Sequence, residues 1–322
     1  MLVTAGCSDT KSPGSDAAGN QATVQKVTYL TGLGLLGREA YVFVAKDKGY
    51  FQEVGLDVEV KPGSGTVKNL QLLASGEVDF ATIDIAAGLI EYGNGKNKDF
   101  KVVSAIQQRT VSCIMALEGS GITNPSDLAG KTIGYVPGGT NYTLFPLYAK
   151  LAGFDPKTVK WVNTPSPQLQ QVLAAGQVNA ITQLVVGKPT VELAARGKTA
   201  VVLPYSNYLT DLYGNGLAVS TKTLGERRDL ALKFNEAMLK GLQYSIDNPA
   251  EAGQIFVKYN KQANPEAAAA EMELMKPYVL GGVKIGALDA ARIARGIAFL
   301  QGSGTITPGV NPTDVVDYGL VP

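Results

Sequence analysis

The stretch LQLLASGEVD, residues 70–79, returns one hundred positions later as QQVLAAGQVN, residues 170–179. Each reads as the end of an amphipathic helix, a glycine stop and the entry into a buried strand. Gly76 and Gly176 stand where a helix closes through a left-handed residue, a conformation glycine adopts without steric cost. Upstream, Gly55-Leu56-Asp57 has a counterpart in Gly153-Phe154-Asp155, each following a helix and preceding a strand. The coincidence follows either from the common grammar of βα units or from two lobes of similar topology.

Working outward, short apolar runs alternate with longer helical ones, the pattern of an α/β fold with mainly parallel strands. Val27–Leu30, Leu56–Val60, Val78–Ile83 and Phe100–Ile106 read as strands. Arg38–Glu53 reads as one helix, and Val67–Ser75 as another. In the second half, Thr132–Val136 and Val159–Val162 read as strands, and a helix is expected over Tyr142–Ala152. The tail is mostly helical: Asp229–Ile246, Pro249–Tyr259, Pro265–Met275 and Leu288–Leu300. These helices need an apolar partner, and the first lobe is the expected one.

Composition narrows the function classes. The 322 residues carry a formal net charge of +1, which supplies no general attraction to nucleic acid or acidic membranes. Histidine is absent, which removes Ser-His-Asp and Cys-His catalysis and His-ligated transition-metal sites. The two cysteines, Cys7 and Cys113, cannot build a thiolate cluster, and no EF-hand-like run is present. A carboxylate site for Ca²⁺ or Mg²⁺ stays open on composition, but no metal or cofactor is expected. Cys113 lies in the apolar run Val111–Leu117 and reads as a buried core thiol.

Leu2-Val3-Thr4-Ala5-Gly6-Cys7 has small residues ahead of a cysteine, as at the end of a secretory signal with a lipobox. Cys7 is then the lipidated residue; the alternative is an ordinary free cysteine. Ser8–Thr23 holds no large apolar residue and reads as a flexible tether, with a reach of roughly 20–25 Å. Residues 1–23 are thus a lipobox remnant and tether, and the lipid is the sole membrane attachment expected.

Further motifs point to a known family. Val44-Ala45-Lys46-Asp47-Lys48-Gly49-Tyr50-Phe51 resembles the "VA-x-x-x-GYF" helix of binding proteins for nitrate, sulfonates, taurine and thiamine-precursor pyrimidines. Gly55–Val58, Ser75–Asp79, Gly121–Gly134 and Asn248–Ala252 continue the resemblance in the same order. One departure is Asn179, where that family carries aspartate. The resemblance implies a type II periplasmic-binding-protein fold: two βα domains joined by two crossover strands, with a ligand cleft between them. The crossings fall near Gln107–Cys113 and Pro204–Ser220. Residues 24–110 and 216–322 form lobe one, and 111–215 form lobe two.

The same resemblance implies a monomeric, extracytoplasmic solute-binding lipoprotein that hands a small molecule to the permease of an ABC importer, without enzymatic activity. Two alternatives share the fold. One is an enzyme, a lyase or a pyrimidine synthase; the yeast-type synthases use histidine and a cysteine-rich iron segment, both missing. The other is a tethered sensor serving a membrane kinase. Ligand preference leans to a small aromatic, heteroaromatic or pyrimidine-like compound, with an aliphatic sulfonate, nitrate or taurine-type anion as the alternative.

In open α/β sheets ligands bind beyond the carboxyl ends of the strands, where helix N-termini present free N–H groups. That rule selects Leu36, Arg38, Glu39 and Tyr41 after the first strand, Ser64 and Gly65 after the second, and Thr82 and Asp84 after the third. Gln107 and Arg109 lie at the first crossing. In lobe two, Gly138, Gly139, Thr140, Asn141 and Tyr142 form a glycine loop into a helix, and Gln183 ends a strand. Tyr205, Tyr208, Tyr213 and Asn215 gather at the second crossing, where the rings suit a wall for a flat ligand. Each has a plainer reading: a tight turn at Gly138-Gly139, a surface ion pair at Arg38-Glu39, an N-cap at Asp84, hinge packing for the tyrosines.

Overall fold

The computed structural model describes residues 1–2, 24–137, 139–281 and 284–320. Cys7, the tether and Gly138 lie outside these residues. Two five-stranded sheets carry the molecule. The first takes β1 (Gln25–Leu30), β3 (Leu56–Lys61), β5 (Phe80–Asp84), β6 (Lys101–Ala105) and β12 (Asn215–Val219) in the order β3-β1-β5-β12-β6. The second takes β7 (Ser112–Leu117), β8 (Thr132–Tyr135), β9 (Lys160–Asn163), β10 (Ala180–Leu184) and β11 (Ala200–Pro204) in the order β11-β7-β10-β8-β9. A two-stranded ribbon, β2 (Leu33–Gly34) with β4 (Gly63–Ser64), ties together the loops that follow β1 and β3.

The two orders are the same pattern. In each sheet one strand runs against its neighbours, and it is the one that has just arrived from the other sheet: β12 is antiparallel to β5 and β6, β7 to β10 and β11. β5 and β10 begin at Phe80 and Ala180, which preserves the hundred-residue offset. The matching residues just upstream do matching work. Asp79 Oδ2 accepts from Thr28 N at 2.9 Å, and Asn179 Oδ1 accepts from Thr132 N at 2.8 Å. Asp79 also holds Arg227 at 2.7 Å, which explains why a carboxylate sits in one lobe and an amide suffices in the other.

The chain crosses between the sheets at 106–111 and at 205–214. Asn215, set at the end of the middle segment by the sequence reading, is the first residue of β12 in the first sheet. The helix expected over Arg38–Glu53 is divided. A 3-10 turn over Gly37–Glu39 precedes α1 (Ala40–Asp47), and Gly49, at φ 78°, separates it from α2 (Tyr50–Glu53). Two more helices, α3 (Thr66–Ser75) and α4 (Ile85–Gly93), complete the N-terminal half. The second sheet carries α5 (Thr140–Leu151), α6 (Leu169–Ala174) and α7 (Lys188–Ala194).

The tail supplies α8 (Thr221–Glu226), α9 (Arg228–Asp247), α10 (Pro249–Tyr259), α11 (Pro265–Val279), α12 (Ala290–Gly302) and α13 (Pro312–Val315). Helix α9 closes the first core: Phe234 stacks on Phe80 with ring centroids 4.2 Å apart. Its Gly241 admits α1 so closely that a Cβ would fall 2.4 Å from the Tyr41 carbonyl oxygen. Helices α12 and α13 pack on α4, and α13 also on β6. The tail is not confined to the first lobe, because α11 also touches α7 and the turn before it. Val186 of that turn is fully buried in the same apolar cluster as Met272 and Met275 of α11. Among the described residues no helix is long and apolar enough to cross a membrane.

Candidate ligand-binding cleft

The carboxyl ends of strands from both sheets open onto one cleft of about 420 Å³. Lobe one contributes Gly32, Leu33 and Leu36 from the loop after β1, Arg38 and Glu39 from the 3-10 turn, Ser64–Lys68 and Gln71 at the start of α3, Asp84, and Asn215. Lobe two contributes Val136, Pro137 and Gly139–Asn141 at the start of α5, Ser166, Leu169 and Gln170 around α6, Thr182–Leu184 at the end of β10, and Thr190. Helices α3 and α5 begin at Gly65 and Gly139 with no side-chain cap, so free N–H groups face the cleft from opposite lobes.

A buried polar frame shapes the lobe-one side. Asn69, fully buried, donates from Nδ2 to the carbonyls of Thr31 and Thr82, each at 2.9 Å, and accepts from Ser64 N at 3.0 Å. One amide thus ties the ends of β1 and β5 to the loop after β3. Tyr41 donates to Glu39 Oε2 at 2.9 Å, while Tyr29, Tyr41 and Thr82 share hydroxyl contacts of 2.6–3.1 Å. Burial holds both phenols protonated well beyond the ordinary tyrosine range.

Two carboxyls of the cleft are buried. Asp84 caps α4, its Oδ1 accepting from Ala87 N at 2.9 Å, and burial pushes its pKa up to about 7 against two backbone N–H groups. Glu39 also accepts from Gly32 N at 3.2 Å; burial raises its pKa, with Arg38 and its hydrogen bonds opposing. Behind Arg38, the Glu271 carboxylate accepts that residue's backbone N–H at 2.8 Å. Among the described residues no group of three or more Asp, Glu, Cys or His could hold a metal ion.

The family model described as "NMT1/THI5 like" matches residues 38–252. The chain belongs to the NMT1/THI5-like family. A formylaminopyrimidine-binding protein of Halalkalibacterium halodurans is 25% identical over 227 residues, covering 70% of this chain and 67% of that protein. A riboflavin-binding protein, RibY, of Chloroflexus aurantiacus is 26% identical over 260 residues, covering 80% and 71%. Among solved structures, the periplasmic nitrate-binding protein NrtA of Synechocystis PCC 6803 superposes with a TM-score of 0.73 at 15% identity, covering 92% of this chain and 87% of that one. That likeness shows the periplasmic-binding fold.

In this NMT1/THI5-like chain the cleft brings together Leu36, Arg38, Glu39, Ser64, Gly65, Asp84, Gly139, Thr140, Asn141, Gln183 and Asn215 of the residues selected from sequence. Tyr41 and Thr82 stand one layer behind, in the frame that holds Glu39. Gln107 and Arg109 belong to the first crossing. Gln107 Oε1 accepts from Asn215 N at 3.0 Å, and Arg109 Nη2 donates to the Pro277 carbonyl at 3.0 Å.

The expected tyrosine wall is corrected: no aromatic side chain lines the cleft among the described residues. Tyr205 stacks on Tyr148 at 4.2 Å and donates to the Asn141 carbonyl, and Tyr208 meets Tyr148 edge-on at 5.4 Å. Tyr213 lies under the Arg292 guanidinium, 4.0 Å from its ring centroid. Tyr142 stacks on Tyr135 at 4.3 Å beside the cleft lip. The apolar faces of α5 and α12 claim the crossing tyrosines, so adjacency to a crossing did not place them on its cleft side. Sequence reading missed Asn69, Gln71, Ser166, Gln170 and Thr190. The hundred-residue offset carries Thr66 onto Ser166, a signal that was available for that residue.

Proposed function

We propose that the chain is the solute-binding component of an ABC importer, capturing a small polar molecule by closure of its two lobes. The observation that carries this reading is the shared cleft: both sheets aim their strand ends into it, and uncapped helix starts face it from either side. A volume of about 420 Å³ suits a compact ligand. The formylaminopyrimidine- and riboflavin-binding relatives support a receptor rather than an enzyme. The chain also holds no histidine for acid-base work.

The ligand is a small hydrogen-bonding heterocycle or base, gripped by amides, hydroxyls and carboxyls rather than sandwiched between rings. Cys7 carries the lipid that anchors the receptor at the extracytoplasmic face of the membrane. The protein acts as a monomer, with 24–110 and 215–322 in one lobe and 111–214 in the other. Because a ligand shifts an equilibrium only through unequal affinity for its two states, it must touch both lobes to close them. X-ray scattering with and without ligand tests the function, alongside fluorescence of Trp161, which meets Tyr142 at 4.8 Å near the lip. Ligand-dependent compaction without turnover is expected; chemical conversion of the bound compound refutes the receptor reading.

A further inference from the structure

We infer that Asp84 and Glu39 are specificity residues of this cleft, receiving N–H donors from a cationic or amidine-like nitrogen group, so that the site selects nitrogen bases over oxoanions. The inference rests on the solute-receptor reading and deepens it. Asp84 is 8% exposed and Glu39 1%, and both line the cleft. Among the described residues neither has a lysine or arginine nitrogen within 4.0 Å.

Buried carboxylates ordinarily find a cation or a full set of donors. An ionised carboxylate offers about four acceptor positions. For Glu39 the donors are Tyr41 Oη and the Gly32 N–H, the second at a long 3.2 Å. Asp84 draws on backbone N–H groups of α4 alone. Acceptor capacity is therefore left over on two buried carboxyls that line the cleft. A Cβ placed on Gly32 would lie 3.2 Å from Glu39 Oε1 and 3.4 Å from Asn215 Nδ2, so the carboxyl and the amide converge on one spot.

Capping α4 does not by itself require an acid, since asparagine or serine caps a helix as well without burying a charge. Leu184 holds the equivalent place in the other lobe. The other charged groups lining the cleft with Asp84 are Arg38 and Glu39 from the 3-10 turn and the exposed Lys68 from α3, with Glu271 from α11 behind Arg38. On α4 itself the nearest is Glu91, about two turns on. Lobe two lines the cleft with no charged side chain among the described residues. An oxoanion entering here meets the free N–H groups of α3 and α5 but also two buried carboxyls, and the charge of Arg38 is shared between Glu39 and Glu271. A nitrogen base meets acceptors.

The test is calorimetric titration at pH 6 and pH 8 of the native protein and of Asp84→Asn and Glu39→Gln, with benzamidinium as a probe that stays cationic throughout. Methanesulfonate and nitrate are the contrasting probes. Asn keeps the α4 cap, and thermal melting checks that each variant folds. Native protein is expected to bind benzamidinium about 10-fold more tightly at pH 8 than at pH 6, because its binding requires the ionised carboxyl. Asp84→Asn is expected to lose that pH dependence, and both variants to bind at least about 10-fold more weakly at pH 8. The inference falls if benzamidinium fails to bind, if either oxoanion binds more tightly, or if both variants bind it as the native protein does. An oxoanion that compacts the lobes overturns this inference and leaves the receptor standing; turnover of a probe overturns the receptor.

Discussion

Asn69 offers the sharpest test of how the cleft is held. Its amide makes hydrogen bonds of 2.9, 2.9 and 3.0 Å to Thr31 O, Thr82 O and Ser64 N, all in a fully buried setting. A net contribution of about 1 kcal/mol per bond makes Asn69→Ala cost about 3 kcal/mol, and more if the three backbone groups stay dry and unpaired. For a chain of 322 residues that is a fall in melting temperature of roughly 4–5 °C. Asn69→Asp is the stronger discriminator, because it has nearly the same shape. It keeps an acceptor for Ser64 N but turns a carboxylate oxygen toward two carbonyl oxygens. At pH 8 it should be at least as destabilising as alanine. Its own folded-state pKa would be raised, so it should recover stability as pH falls and the carboxyl protonates. Urea denaturation followed by circular dichroism at pH 8 and pH 5 reads both effects. Asn69→Asp as stable as the native protein at pH 8, or Asn69→Ala costing under about 1 kcal/mol, would refute the role of this amide.

Other perturbations have equally definite directions. Gly241→Ala puts a Cβ 2.4 Å from the Tyr41 carbonyl and 2.7 Å from the Ala45 Cβ, so α1 and α9 must separate; a loss of about 2–3 kcal/mol is expected in urea melts, typical of overpacking. Asn179→Asp should be nearly neutral in thermal melts, since a carboxylate also accepts from Thr132 N. Asp79→Asn should cost more than Asn179→Asp, though under about 1 kcal/mol, because its part-exposed Arg227 pair is lost. Asp84 has its pKa raised from 3.8 to about 7, so the folded state binds its proton more tightly. The stability it confers is complete below about pH 4 and is lost as pH rises through 7. Asp84→Asn should therefore be the more stable protein at pH 8, by as much as about 4 kcal/mol, with the difference gone at pH 4 in parallel urea melts.

The architecture was legible because two signals repeat: Gly76 and Gly176 stop helices, and the residues that follow open buried strands. Lobe-one cleft residues such as Ser64, Gly65 and Asp84 were legible through the strand-end rule, since the carboxyl end of a parallel strand fixes where the next loop emerges. What the rule does not supply is depth. It selected Tyr41 and Thr82 at the right strand ends, but their side chains point one layer inward, where Glu39 needs a donor. The crossing tyrosines failed for a different reason. Tyr205, Tyr208 and Tyr213 follow no periodic element, so nothing in their spacing distinguishes the cleft side from the side covered by α5 and α12. Asn69 carried a readable signal, a lone amide on the apolar face shared by Leu70 and Leu73, yet its three partners come from segments far apart in sequence.

The division of chemistry between the lobes bears on how closure would work under the proposed receptor function. Every charged side chain lining the cleft among the described residues belongs to lobe one: Arg38, Glu39, Lys68 and Asp84. Lobe two offers amides and hydroxyls, among them Asn141, Ser166, Gln170, Gln183 and Thr190. Charge acts at longer range than a hydrogen bond, so lobe one selects and holds the ligand while the cleft is open. Neutral hydrogen bonds require contact, so those from lobe two exist only when the cleft is closed, and they supply the unequal affinity that shifts the equilibrium. The hinge limits that motion. Helix α11 leans on the turn before α7, its Tyr278 carbonyl accepts from Gln108 N, and Arg109 donates to Pro277 O. These contacts couple the first crossing and lobe two to α11, so closure must carry them along or break them.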